Sequence, residues 1–95
     1  MPYIVQRRRK TYEGALAELS ETIDKDTPDG DLNYVITRLL VDWLAKRGKS
    51  YATIADVVKV LETAKLEFYR RVAAPYEDEK AKVNGDVYDE STKPS

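Results

Sequence analysis

One stretch of sequence sets the fold class: DLNYVITRLLVDWLAKRG, at residues 31–48. Its apolar side chains recur every three or four residues, the spacing of one face of an α-helix: Leu32, Val35, Ile36, Leu39, Leu40, Trp43 and Leu44. Asp31 is the predicted cap at the start of this helix, and Gly48 suits the left-handed residue that ends one. We predict a helix here whose apolar stripe is the best candidate for the core.

Further helices are predicted on both sides of this stretch. A first helix follows a cap at Thr11, because apolar residues recur at helical spacing from Tyr12 to Ile23, and the turn sequence TPDG follows at 27–30. The longest helix begins at a cap, Ser50 or Thr53, and must stop or kink before Pro75. A fourth helix is predicted over 75–83, closed by Asn84 and Gly85. The fold class is therefore all-α, a small helical bundle of three main helices plus a short C-terminal helix.

The predicted organisation is a basic N-terminal arm at 1–10, a single helical domain at 11–88 and a disordered tail at 89–95. A chain of 95 residues has room for one modest hydrophobic core. We therefore expect the protein to be homo-oligomeric.

The composition excludes several classes of function. The chain has neither cysteine nor histidine, which removes Ser-His-Asp and Cys-His catalysis and the common zinc and iron sites. It also lacks a phosphate-binding Gly-rich loop, and Asp24 and Asp26 lie in a predicted turn. We expect a protein that is not an enzyme and that has no cofactor or metal. With no apolar run near the roughly 18 residues of a membrane span, we expect it to be cytoplasmic.

One lysine is out of place on the third helix. At about 100° per residue, Lys65 falls within the apolar arc, and Tyr51, Glu62 and Tyr69 lie on the adjoining face. One interpretation is that Lys65 meets an anionic ligand while tyrosines stack on its flat rings. The alternative is that Lys65 reaches out to solvent or pairs with Glu62 one turn away.

Other polar residues extend this candidate site. Arg70 and Arg71 suit bidentate binding of phosphate, but cations are also favoured at the C-terminal end of a helix. Asn33, with Thr37 one turn later, either bridges helices or faces a ligand. Seven tyrosines against one phenylalanine indicate an interface or an amphipathic pocket. The predicted ligand-binding residues are Lys65, Arg70, Arg71, Tyr69, Tyr51, Asn33, Glu62 and Tyr76.

Several segments together resemble a known family. They are MPYI at 1–4, GDLNYVITRLL at 30–40, SYATI at 50–54, LETAKLEFYRRVAAPYEDEK at 61–80 and NGDVY at 84–88. This sequence is similar to a family of small uncharacterised proteins of tailed phages and some bacteria. The resemblance implies an accessory protein of a phage, or a cellular relative of one. The Arg7–Arg9 block and the TPDG turn are not part of it.

Three functional hypotheses follow. The first is a binding protein that captures a small anionic ligand, such as a cyclic nucleotide used as a host immune signal, and so acts as an anti-defence sponge. The second is a protein-interaction module that inhibits a host protein. The third, nucleic-acid binding through the basic arm, is disfavoured by a net charge of −1. Self-association is expected with each, and a membrane partner with none.

Overall fold

The structure, a computed structural model, describes residues 1–92, and within that range it contains helices and no strands. The elements are α1 (Gln6–Glu21), α2 (Asp29–Arg47), α3 (Tyr51–Phe68), a π-helical segment (Tyr69–Ala73), α4 (Ala74–Asn84) and a short 3-10 turn (Glu90–Thr92). The all-helical prediction is confirmed. The chain divides into two units, Met1–Leu61 and Glu62–Ser95.

Helix α1 begins at Gln6, earlier than the predicted cap at Thr11. The basic block of the predicted arm is therefore helical, consistent with the good helix propensity of Arg and Lys. The Arg9 Nε donates a hydrogen bond to the carbonyl oxygen of Ile4 at 2.7 Å, which ties the residues before α1 to its first turns.

The turn between α1 and α2 is built around Asp24. Its Oδ1 accepts the backbone N–H of Asp26 at 2.9 Å, and its own N–H donates to Thr27 Oγ1 at 2.9 Å. Helix α2 then begins at Asp29, so the predicted cap at Asp31 is wrong: this residue lies inside the first turn. A carboxylate there is favourable because helix N-termini carry partial positive charge. Gly48 ends α2 with φ of 95°, as the sequence predicted.

Ser50 is the cap of α3. Its Oγ accepts the backbone N–H of Thr53 at 3.1 Å, and its carbonyl oxygen accepts the N–H of Ile54 at 2.9 Å. Thr53 is buried, with 7% of its surface exposed. A side-chain acceptor at this position satisfies one of the backbone donors that the first turn of a helix leaves unpaired.

Pro75 produces a widened turn. A proline inside a regular helix lacks its N–H and clashes with the carbonyl group four residues earlier, here that of Arg71. The chain relieves this clash with the π-helical segment before α4, in which the N–H of Ala74 donates to the oxygen of Tyr69. Helix α4 then ends at Gly85, with φ of 94°.

The apolar stripes form no interior of their own. No hydrophobic residue is buried within the described part of the chain, and Leu39 on the predicted core stripe is 58% exposed. Within Met1–Leu61, no two helices approach each other closely along their backbones. The residues expected to form a core therefore lie on the predicted helices, but no other part of the described chain buries their side chains.

Among the described residues, no helix is both long and apolar enough to cross a membrane.

The described part of the C-terminal tail forms a turn. Of the tail predicted at 89–95, residues 90–92 form the 3-10 turn, and the Asp89 Oδ1 accepts the N–H of Ser91 at 3.0 Å. Residues 93–95 lie outside the described residues.

Candidate interaction surfaces

An apolar groove of about 400 Å³ lies between α2 and α3 within the unit Met1–Leu61; we call it the α2–α3 groove. Eight of its ten lining residues are aliphatic, among them Ile36, Leu40 and Leu44 on α2 and Ile54, Val57 and Leu61 on α3. The two polar lining residues, Asn33 and Thr37, carry no charge. The groove can therefore hold apolar groups and offers no ionic contact.

The groove is open to solvent. Val58 is 61% exposed and Ile36 48%, whereas Leu40, Leu44 and Val57 are half-buried. Aliphatic side chains of a completed interior are normally buried. The α2–α3 groove is thus an apolar surface without a cover in the single chain.

Asn33 and Thr37 bond to each other along α2. The Thr37 hydroxyl lies 2.7 Å from the Asn33 carbonyl oxygen and 3.3 Å from its Oδ1. The sequence offered two interpretations, a bridge between helices or contact with a ligand. These hydrogen bonds stay within α2, so they do not bridge helices. The pair instead places a small polar spot on the wall of the groove.

Lys65 is exposed and pairs with Glu62. Its Nζ lies 3.5 Å from Glu62 Oε1, and the two side chains are 71% and 54% exposed. The interpretation in which Lys65 pairs one turn back is therefore the one found in this chain. An exposed pair of this kind contributes little to stability because water already solvates both charges.

Tyr69 donates a hydrogen bond from its hydroxyl to Glu77 Oε1 at 2.8 Å. In a regular helix, residues eight apart are offset by about 80° at 100° per residue. The π-helical segment takes up one extra residue, so this pair behaves like residues seven apart and falls on one face. The hydrogen bond to Glu77, together with the charge of that carboxylate, raises the pKa of Tyr69 above its usual value.

Arg70 pairs with a carboxylate at the end of α3, one turn earlier in the chain. Its Nη2 lies 2.6 Å from Glu67 Oε1, and its Nε lies 3.4 Å from Glu67 Oε2. Arg71 forms no ion pair with a described residue. Of the predicted cations, only Arg71 is thus available to an anion without exchanging a partner.

Aromatic rings line the exterior of the second unit. Four of them are more than half exposed, and together we call them the aromatic surface: Phe68, Tyr69, Tyr76 and Tyr88. The Lys80 Nζ stands 5.5 Å from the centre of the Tyr76 ring, a cation–π contact. Tyr51, in the first unit, is 95% exposed.

A hollow of about 650 Å³ lies beside α4, and its charge is unfavourable for anions. Glu77, Asp78 and Asp86 contribute three carboxylates to its lining, against one ammonium from Lys80. No group of three metal-ligating residues occurs in the range that the structure covers. The predicted cations Lys65, Arg70 and Arg71 do not line this hollow.

A protein-family model matches the chain over residues 1–87; its description is Domain of unknown function (DUF6899). The chain belongs to the DUF6899 family. The match contains all four α-helices, so the α2–α3 groove and three residues of the aromatic surface lie inside the DUF6899 region. No curated protein and no solved structure matches the chain.

Sequence reasoning missed two carboxylates of the DUF6899 chain that hold predicted site residues. Glu67 precedes Arg70 by three residues, an ordinary helical pairing that the spacing rule would have found. Glu77 lies eight residues after Tyr69, and only the π-helical segment brings the two together. The groove was missed because both of its walls had been assigned to a closed core.

Proposed function

We propose that this DUF6899 protein is a non-catalytic helical interaction module that works by binding another protein. One observation carries the proposal: across the described residues, no hydrophobic side chain is buried, while many large apolar and aromatic side chains face solvent. Extended apolar surface of this kind marks protein interaction sites. The abundance of tyrosine agrees, since tyrosine is enriched at such interfaces.

We place the partner protein on the aromatic surface of the second unit. Exposed Tyr and Phe rings bring large contact area with few rotatable bonds, and residues of this kind dominate binding energy at interfaces. From the resemblance to proteins of tailed phages, the proposed setting is the cytoplasm of a bacterial host. There the protein inhibits or redirects a host protein by binding to it at a fixed stoichiometric ratio.

The test is capture from host lysate followed by reconstitution with the purified partner. We expect saturable binding at a fixed ratio. A double variant, Phe68→Ala with Tyr76→Ala, should weaken it by at least about thirtyfold, the effect of losing one interface hot spot. Tyr51→Ala is the control, because this ring is even more exposed than Phe68 and Tyr76 but lies in the other unit. Equal loss in the control, or a wild-type protein with no saturable partner, would reject the proposal.

A second candidate function is capture of a small anionic ligand, such as a cyclic nucleotide. The π-helical segment favours it, because such turns are frequent at functional sites and this one carries Tyr69, Arg70 and Arg71. Arg71 would bind phosphate directly, whereas Arg70 would first exchange its pairing with Glu67.

Isothermal titration against cyclic di- and trinucleotides tests this second candidate. Binding that disappears in Arg70→Ala and Arg71→Ala, but persists in Lys25→Ala, supports it, because Lys25 is a paired surface cation outside the proposed site. An absence of heat across the panel, with protein that is folded by circular dichroism, rejects it.

A further inference from the structure

We propose that the α2–α3 groove is a homotypic interface, filled by the α2–α3 pair of a second copy of this chain. The inference rests on the proposed function and deepens it, because it names the first partner of the interaction module. Two such pairs would place four helices around one shared apolar interior, the arrangement of a four-helix bundle.

The lining of the groove is self-complementary. It consists of aliphatic residues and one uncharged polar pair, Asn33 with Thr37. A surface without charge needs no oppositely charged partner, so an identical surface meets it without repulsion. A lone polar pair within an apolar helical interface is also a known means of fixing the register of two chains.

Helix α2 carries more apolar surface than one neighbour can cover. At about 100° per residue, its apolar positions from Leu32 to Leu44 span roughly 240° of the helix, and the two charged residues within that stretch, Arg38 and Asp42, lie about 40° apart outside this arc. Part of the apolar arc turns toward Ile23, where Leu32 and Val35 line a second hollow. The rest forms one wall of the groove. Helices with such wide apolar arcs are stable when they are buried on several sides.

The exposed area of the chain is large enough for an obligate interface. The chain exposes 8850 Å², whereas a compactly folded chain of 10.9 kDa exposes about 5600 Å². The excess is about 3300 Å² per chain by the same scaling. This excess belongs to both units of the chain together; obligate homodimers bury about 2000–5000 Å² in total, which is less than the excess of two copies.

A second copy is also the partner that is always present. Most of the stability of a helix in a protein comes from packing of its apolar face, so a cover for that face must be available whenever the chain is made. The unit Met1–Leu61 has ten Lys/Arg and nine Asp/Glu residues, a net charge of +1. Two copies therefore approach without net repulsion of any consequence.

Sedimentation velocity of the purified full chain, over a wide range of concentrations, tests the inference. We expect a mass of at least two copies. Val58→Glu, on the groove, should weaken self-association by at least about a hundredfold, because it places a charge in an apolar interface. Val60→Glu is the matched control, since this residue lies on the same helix about 200° away from Val58. It should leave self-association unchanged.

Thiol labelling keeps the test valid if the charged variants do not fold. The chain has no cysteine, so Val58→Cys and Val60→Cys each introduce a single, conservative probe. We expect maleimide to label position 58 about tenfold more slowly than position 60 in concentrated protein, and equally fast after dilution.

A wild-type chain that is monomeric at high concentration and unfolds cooperatively would overturn the inference. So would self-association that Val58→Glu leaves intact, or equal labelling at both positions in concentrated protein. These measurements use the purified chain alone. Failure here is therefore distinct from failure to bind a host protein, which is measured on the aromatic surface.

Discussion

At the scale of single residues, several polar side chains of this protein form ion pairs or hydrogen bonds with residues only three or four positions away in sequence. Lys65 pairs with Glu62, Arg70 with Glu67, and the Arg38 Nη1 donates to the Tyr34 hydroxyl at 3.0 Å. These groups are solvent-exposed for the most part, and each pair lies within one helical turn. Such contacts orient side chains but stabilise the chain only slightly.

The Tyr69–Glu77 hydrogen bond predicts a dependence on pH. Because the pKa of Tyr69 in the folded chain lies above its unfolded value of about 10, the bond stabilises the fold fully below pH 10. This stabilisation is lost as the pH rises through the raised pKa. We expect Glu77→Gln to return the pKa of Tyr69 toward its ordinary value, measured by NMR of ring-labelled tyrosine. Glu79→Gln is the control, and an equal shift there would contradict the assignment.

Gly48 and Gly14 predict opposite effects of the same substitution. Gly48 has φ of 95°, a conformation that costs a residue with a Cβ about 1–3 kcal/mol. Gly14 lies inside α1 with open space around it, so an added methyl group restricts only the unfolded chain. We expect Gly48→Ala to lower the free energy of unfolding by that amount and Gly14→Ala to raise it by about 0.5–1 kcal/mol. Urea denaturation at one protein concentration measures both, and shifts of the same sign would count against this account.

At the scale of elements, each helix is defined by local interactions at its ends. Helices α2 and α4 end at glycines with positive φ, and α3 begins at a side-chain cap. None of these features needs contact with another helix. The helices therefore hold their limits even though their apolar faces are uncovered.

The cap of α3 is open to a direct test. Ser50→Ala removes the acceptor for the Thr53 N–H, and we expect it to cost about 1 kcal/mol of stability. Ser20→Ala, inside the exposed part of α1, should change stability by less than about 0.5 kcal/mol. Chemical denaturation followed by circular dichroism compares the two variants. Equal effects would show that Ser50 is not a cap.

Pro75 predicts a change in the register of α4. Pro75→Ala restores a backbone donor and removes the clash with the Arg71 carbonyl, so the π-helical segment is expected to become a regular helix. Tyr69 and Glu77 would then separate around the helix, and the pKa of Tyr69 would fall toward its usual value. Pro28→Ala, at the start of α2, is the control. An unchanged titration of Tyr69 in Pro75→Ala would show that the proline does not maintain the widened turn.

At the scale of the whole molecule, stability should depend on protein concentration. If a second copy covers the α2–α3 groove, each tenfold dilution lowers the apparent free energy of unfolding of a dimer by about 1.4 kcal/mol. The unfolding midpoint of the wild type should therefore fall on dilution, whereas that of a dissociated Val58→Glu variant should stay constant. A wild-type midpoint that is the same across a hundredfold range would contradict the homotypic interface.

The amino-acid sequence by itself determined the helices of this protein. Apolar spacing located α2 and α3, Gly48 and Gly85 marked two helix ends, and Ser50 was one of two predicted caps. These features were predictable because helical hydrogen bonds and caps join residues a few positions apart. The start of α1 was placed too late because its basic residues favour a helix without adding to the apolar pattern.

Only the tertiary structure decided whether the apolar faces of those helices form a closed core or an open groove. Periodicity shows that a face is apolar, but a groove, a closed core and an interface with another chain have the same pattern. The choice depends on how closely distant segments approach, which no local interaction fixes. In the same way, Lys65 forms an ion pair with Glu62 and does not point into an inward cleft. Tyr69 forms a hydrogen bond with Glu77 because Pro75 widens one turn of the helix.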